Sequence, residues 1–205
     1  DEVVDATLPH LPAVVADMVR LQRLTGMRPG EVAILRPVDI DRTGEVWQYH
    51  PAKHKTQHHG RERVILIGPR GQEILLRYLA RDAEAYCFRP CDSEAKRRAA
   101  AHAARKTPLS CGNKPGSNLK RKPKHQPGDK YDAETFRRAI RRACDKAGVE
   151  SWSPNQLRHA AATQIRKKFG LEAAQVILGH SQANVTQVYA ERDLEKGVEV
   201  AKRIG

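Results

Sequence analysis

A mainly α-helical fold with a small antiparallel β-sheet, an α+β class, is what this sequence predicts. Three observations carry that expectation. Apolar residues recur at three- and four-residue spacing in several segments, two short β-rich runs flank one polar tip, and glycine or proline stands at most segment boundaries.

Leu11, Val14, Val15 and Met18 share one helical face and Gly26 follows as a stop, so residues 11 to 24 read as an amphipathic helix. Arg28 comes next. Pro29 suits a first helical position, and Glu31-Val32-Ala33-Ile34-Leu35 continue a short helix whose amino end lies near Arg28. A helix start beside a guanidinium favours an anion. Between Ile40 and Ile67 the pattern turns to β-rich runs, Glu45 to Tyr49 and Arg63 to Ile67, around the polar tip Lys53-His54-Lys55-Thr56-Gln57-His58-His59-Gly60. This is a small antiparallel hairpin with lysines at its tip. Gly68-Pro69 then open a helix that buries Ile74, Leu75, Tyr78 and Leu79.

Residues 94 to 130 carry eleven Lys/Arg against two acids, with four prolines between Pro108 and Pro127 and an alanine run at Ala99-Ala100-Ala101. So little apolar surface predicts a helical stub and then a flexible basic insertion, either ordered by DNA or a solvated linker. Regular structure resumes at Phe136, Ile140, Ala143 and Ala147, one face of a helix closed by Gly148. Ser153-Pro154-Asn155-Gln156 supply an N-cap, a first-turn proline and a capping-box glutamine, so another helix begins there. On it Asn155 and Arg158 lie three apart, on one face near the amino end. Gly170 ends that helix, residues 171 to 178 form one that Gly179 stops, and the tail from Ala183 reads as one or two short helices.

The 205 residues hold 37 Lys+Arg against 24 Asp+Glu, a net charge of +13 and a pI near 9.9. Such a balance suits a nucleic-acid partner, because basic side chains release counterions from a phosphate backbone. No run of eighteen apolar residues occurs, and the acidic start Asp1-Glu2-Val3-Val4-Asp5 is unlike a signal peptide. The expected location is the cytoplasm, on the chromosome. Cys87, Cys91, Cys111 and Cys144 read as reduced thiols, and with His102 or His125 their spacing fits no familiar zinc module, so no metal is expected.

Two arginines, a histidine and a tyrosine form the remaining pattern. Arg28 lies in Thr25-Gly26-Met27-Arg28-Pro29-Gly30-Glu31, Arg158 in Asn155-Gln156-Leu157-Arg158, His180 in Leu178-Gly179-His180, and Tyr189 nine residues beyond that histidine. Covalent attack on a phosphodiester needs such a set. A five-coordinate phosphorus carries extra negative charge that a fixed guanidinium fork neutralises well, and a phenol of pKa near 10 attacks only when its surroundings favour the anion.

These motifs, in this order and at these spacings, resemble the tyrosine recombinase (phage integrase) family across the stretch from Arg28 to Tyr189. The resemblance implies that family's catalytic-domain fold. It also implies a site-specific DNA recombinase or integrase in which Tyr189 cleaves and rejoins strands through a 3′-phosphotyrosyl intermediate, without metal, ATP or other cofactor. Arg28 and Arg158 hold the phosphate, with His180 as a further contact. Lys55 is the general acid for the departing 5′ oxygen, although Lys53 faces the same side of a strand. His54, His58 and His59 at the same tip read as DNA-facing polar residues.

Asn155 departs from the pattern, standing where the family most often has histidine. Its amide can hydrogen-bond a phosphate oxygen or orient a water but cannot act as a base, so activation of Tyr189 falls to the cations around it. His159 points about a third of a turn away and reads as a hydrogen-bonding structural histidine. A non-catalytic DNA-binding protein that keeps the fold is the alternative, as is strand relaxation of the type IB topoisomerase kind. The chain reads as a single catalytic domain over 1–205, a fragment without the amino-terminal core-binding domain, with residues 94–130 as its insertion. Double-stranded DNA is the expected partner, bound by a homo-tetramer on paired sites, with the isolated domain compatible with a monomer and with no membrane contact.

Overall fold

The structure, a computed structural model, describes residues 1–52, 63–108, 110–111 and 126–179. It is mostly helical around one small sheet, as the sequence predicts. The chain opens with helix α1 (Glu2–Thr7) and a 3-10 turn (Leu8–His10), neither of which the apolar pattern announces. Helix α2 (Ala13–Thr25) follows and ends on Gly26, and the short α3 (Pro29–Ala33) starts directly after Arg28.

Three strands come next: β1 (Ile40–Asp41), β2 (Trp47–Tyr49) and β3 (Ile65–Ile67), in the order β1-β2-β3. Both pairings are antiparallel, with Ile40 opposite Tyr49 and Tyr49 opposite Ile65. The predicted hairpin is therefore present with an added edge strand, while its lysine-bearing tip, 53–62, lies outside the described residues. Ile65 and Ile67 point inward with Tyr49, and the residues between them face out, the alternation a half-buried sheet requires.

Helix α4 (Pro69–Leu79) buries Ile74, Leu75 and Tyr78, three of the four residues its spacing selected. Helix α5 spans Pro90–Ala103, earlier and longer than the stub expected from the alanine run, and buries no residue fully. Its exposed face is laced instead by Arg97 and Arg98 on Glu94. Most of the predicted basic insertion lies outside the described residues. Helix α6 (Ala133–Ala147) starts at Asp132, whose carboxylate accepts the Thr135 backbone N–H at 2.6 Å, and buries Phe136, Ile140 and Ala143.

Helix α7 runs from Pro154 to Leu178, broken at Gly170, where φ is 90°, so the expected stop appears as a kink between two helical pieces. At its start the Gln156 side chain reaches back to the Ser153 N–H at 2.7 Å.

Helix α2 is the centre of the molecule. It packs against α7, α4, α3, α5 and β3, while α6 closes the other side against α1, α3 and α7. Val14, Val15, Met18, Val19 and Leu21 are fully buried on it, and each such side chain contributes roughly 1.5–3 kcal/mol by leaving water. Tyr78 and Phe88 meet in a tilted pair, centroids 4.8 Å apart, and the Tyr78 hydroxyl donates to buried Asp17 at 2.6 Å. This packing joins the end of α2 to both ends of α7.

Candidate active site

The α2–α3 turn is held from below by one side chain. Gln22, fully buried, donates from its amide nitrogen to the carbonyl oxygens of Met27 at 3.1 Å and Pro154 at 2.9 Å. One residue thus fixes the turn that carries Arg28 and the first turn of the helix that carries Arg158. Gly26 closes the same junction by its lack of a side chain, since a Cβ there would lie 2.7 Å from Leu178 Cδ2.

Arg158 is 5% exposed and fixed at both fork nitrogens. Nη1 donates to the Gly26 carbonyl and Nη2 to the Leu178 carbonyl, each at 2.7 Å. Its guanidinium therefore sits where the turn before Arg28 meets the end of α7, one residue short of Gly179. The Arg158 side chain is thus seated on the turn that leads to Arg28, whose own guanidinium turns to Glu31.

Arg28 is more open, its side chain 25% exposed. Glu31 receives it twice: the Arg28 backbone N–H donates to Oε2 at 2.6 Å and Nη1 donates to Oε1 at 2.9 Å. Glu31 is itself 3% exposed, and Arg63, equally buried, approaches the same Oε1 with Nε at 3.4 Å. Burial alone would raise the Glu31 pKa, but the Arg63 charge and the Arg28 bonds outweigh it and hold the carboxyl below its usual range. Burial drives the Arg63 pKa down, Glu31 opposes this, and the charge of Arg28 adds to it. From the sheet side the Tyr49 hydroxyl donates to the Glu31 carbonyl oxygen at 2.8 Å, and burial pushes that phenol far above its ordinary range.

Asn155 stands apart. It is exposed, and its amide nitrogen lies 2.9 Å from Nε2 of His159, so it shares the first turns of α7 with Arg158 but faces water while Arg158 faces inward. Burial, and then the Arg158 charge, lower the His159 pKa and favour its neutral ring. Tyr189, His180, Lys55 and the competing Lys53 lie outside the described residues, as do His54, His58 and His59. Gly179, immediately before His180, is described and ends α7 in the left-handed conformation.

Sequence reasoning missed Gln22, Glu31 and Arg63. Glu31 had a signal, because a carboxylate three residues after a helix-starting residue is a capping-box position. Gln22 and Arg63 had none, since their partners are distant in the chain. Beside the α7 start a polar cleft of about 350 Å³ is lined by Arg137, Arg138, Arg141 and Gln156, adding positive charge to that end of the molecule. Among the described residues no group of three His, Cys, Asp or Glu side chains could hold a metal ion, and no helix is long and apolar enough to cross a membrane.

Comparison with known proteins agrees with this architecture. The phage integrase family profile matches residues 4–196. The tyrosine recombinase XerC of Actinobacillus pleuropneumoniae serotype 7 is 27% identical over 190 residues, covering 91% of this chain and 50% of that protein. The XerC of Corynebacterium efficiens is 34% identical over 77 residues, 37% of this chain and 25% of that one. The chain thus spans at most about half the length of these curated relatives. Among solved structures, the Tn1549 transposon integrase in complex with circular intermediate DNA superposes with a TM-score of 0.59 at 17% identity, covering 98% of this chain and 64% of that one.

Proposed function

The chain belongs to the phage integrase family, and from that premise we propose that it is the catalytic part of a site-specific DNA recombinase or integrase. In this reading Tyr189 attacks a backbone phosphorus as its phenolic proton passes to solvent, the bond from phosphorus to the 5′ oxygen breaks as the 3′-phosphotyrosyl bond forms, and that oxygen leaves with a proton from Lys55. Attack by the 5′-hydroxyl of another strand then releases Tyr189. The ester conserves the energy of the broken bond, so neither ATP nor metal is required. Arg28 and Arg158, with His180, neutralise the phosphorane, and Asn155 offers an amide to a phosphate oxygen or a water. Double-stranded DNA is the substrate, acted on at paired sites by a homo-tetramer on the chromosome.

The observation that supports this reading is the seating of Arg158 on the turn that leads to Arg28. Arg158 is fixed on the carbonyl of Gly26, two residues before Arg28, on the same side of the molecule as the turn that leads to His180. A fixed cation seated on the turn that leads to a second, more open one suits a doubly charged transition state.

A nicked duplex that lets the cleaved strand escape tests the proposal. The protein should form an adduct that survives boiling in detergent and is absent in the Tyr189→Phe variant. Tight DNA binding with no adduct on any of a broad set of sequences would instead establish the non-catalytic DNA-binding alternative.

A further inference from the structure

Arg63 poses a separate problem, because its side chain is buried in a way that a surface hairpin does not require. Nε lies 3.4 Å from Glu31 Oε1, Nη1 donates to the Val64 carbonyl at 3.2 Å, and Nη2 is buried with no hydrogen-bond partner among the described residues. Leaving one guanidinium nitrogen unpaired away from water costs stability. An arginine placed only to reinforce β3 could satisfy its nitrogens at the surface instead.

Two contacts explain the placement. Glu31 is shared, since Arg28 Nη1 and Arg63 Nε approach the same carboxylate oxygen, so two cations face one anion and the trio carries one net positive charge. Without Arg63, Glu31 and Arg28 would neutralise each other. The second contact is with Gly179, which has φ of 64° and lies so close to the Arg63 guanidinium that any Cβ there would overlap Nη1. The same guanidinium therefore touches the α3 start and the turn before His180.

We propose that Arg63 is a positioning residue for the phosphate site: it takes up the charge of Glu31, leaving that of Arg28 for the phosphate, and it seats the Leu178-Gly179 turn from which His180 follows. The inference rests on the strand-exchange reading above. Arg63 acts through Arg28 and this turn, without itself touching the reacting atoms.

The test uses the intact protein and the nicked duplex, with three readouts: single-turnover adduct formation at saturating DNA, DNA affinity, and thermal melting. Arg63→Gln should slow adduct formation by about tenfold to a hundredfold, less than the roughly hundredfold to thousandfold of losing a donor that touches the phosphate, while affinity changes less than about threefold. The double variant Arg63→Gln with Glu31→Gln should recover at least about threefold of that rate, because removing the carboxylate frees Arg28 again, and it should do so without a rise in melting temperature over the single variant, which is what mere relief of a buried unpaired carboxylate would give. Should Arg63→Gln not melt cooperatively, Arg63→Lys serves, since it keeps the charge. That variant should stay within about fivefold of the wild-type rate, whereas a hundredfold loss overturns the charge argument. A wild-type rate in Arg63→Gln, or a double variant no faster than the single one, also overturns it. A wild-type protein that forms no adduct at all would instead count against the strand-exchange reading itself.

Discussion

Gln22 and Pro154, 132 residues apart in sequence, are joined by a 2.9 Å hydrogen bond from the Gln22 amide to the Pro154 carbonyl. The bond is buried, and the same amide nitrogen also serves Met27. It sets where α7 begins relative to the turn that carries Arg28.

Gln22→Met keeps the volume and removes the donor, leaving two buried carbonyl oxygens without it. The expected loss is about 1–3 kcal/mol in denaturant unfolding, with the slope of the transition unchanged. Gln22→Ala should cost more, because it adds a cavity to the same loss.

Glu31 makes folding pH-dependent in a defined direction. Its folded pKa lies below the ordinary 4.5, so the unfolded chain takes up a proton first as acid is added. The stabilisation is complete above pH 4.5 and is lost as pH falls through the lower folded value. In urea melts between pH 3 and 7, Glu31→Gln should be the less stable protein at neutral pH, roughly by 1–3 kcal/mol, and the gap should narrow toward pH 3.

Arg158→Lys separates charge from geometry. A lysine cannot hold the Gly26 and Leu178 carbonyls with one planar fork, so the cation remains but its position is lost. Adduct formation should fall on the order of a hundredfold or more, and thermal unfolding should come earlier. A variant that melts early yet cleaves at the wild-type rate would remove Arg158 from the chemistry.

Asn155→His tests the family departure directly. The position is exposed on the first turn of α7, so an imidazole fits without repacking. If a base at this position assists Tyr189, the variant should form adduct about tenfold faster or more between pH 7 and 8, with a rate that declines as the imidazole protonates. An unchanged rate would mean that the cations alone set the reactivity of Tyr189.

Features set by neighbours in the chain were legible. The stops at Gly26, Gly148 and Gly179, the capping box at Ser153 to Gln156 and the buried faces of α2, α4 and α6 all follow from short-range spacing, and the structure contains each of them. Strand β1 escaped notice because two residues carry no period. Helix α5 was misjudged at its start, since Pro90 to Ala103 is stabilised by arginine–carboxylate pairs such as Arg89 on Asp92, not by an apolar stripe. In the candidate site, motif spacing nominated Arg28 and Arg158 before any contact was known. The burial of Arg63 and the double role of Gln22 could not be nominated that way, because both depend on segments that meet only in the folded molecule.

The clasp between Gly26 and Arg158 has a consequence for the order in which this protein becomes competent. A ribosome delivers the α2 turn long before α7, and Arg158 has no seat until the two meet across a sequence separation of 132 residues. Closing so long a loop is late and cooperative. A nascent or prematurely terminated polypeptide that stops before Pro154 carries Arg28 but neither Arg158 nor the Leu178 carbonyl that helps to hold it, so the clasp is not yet built.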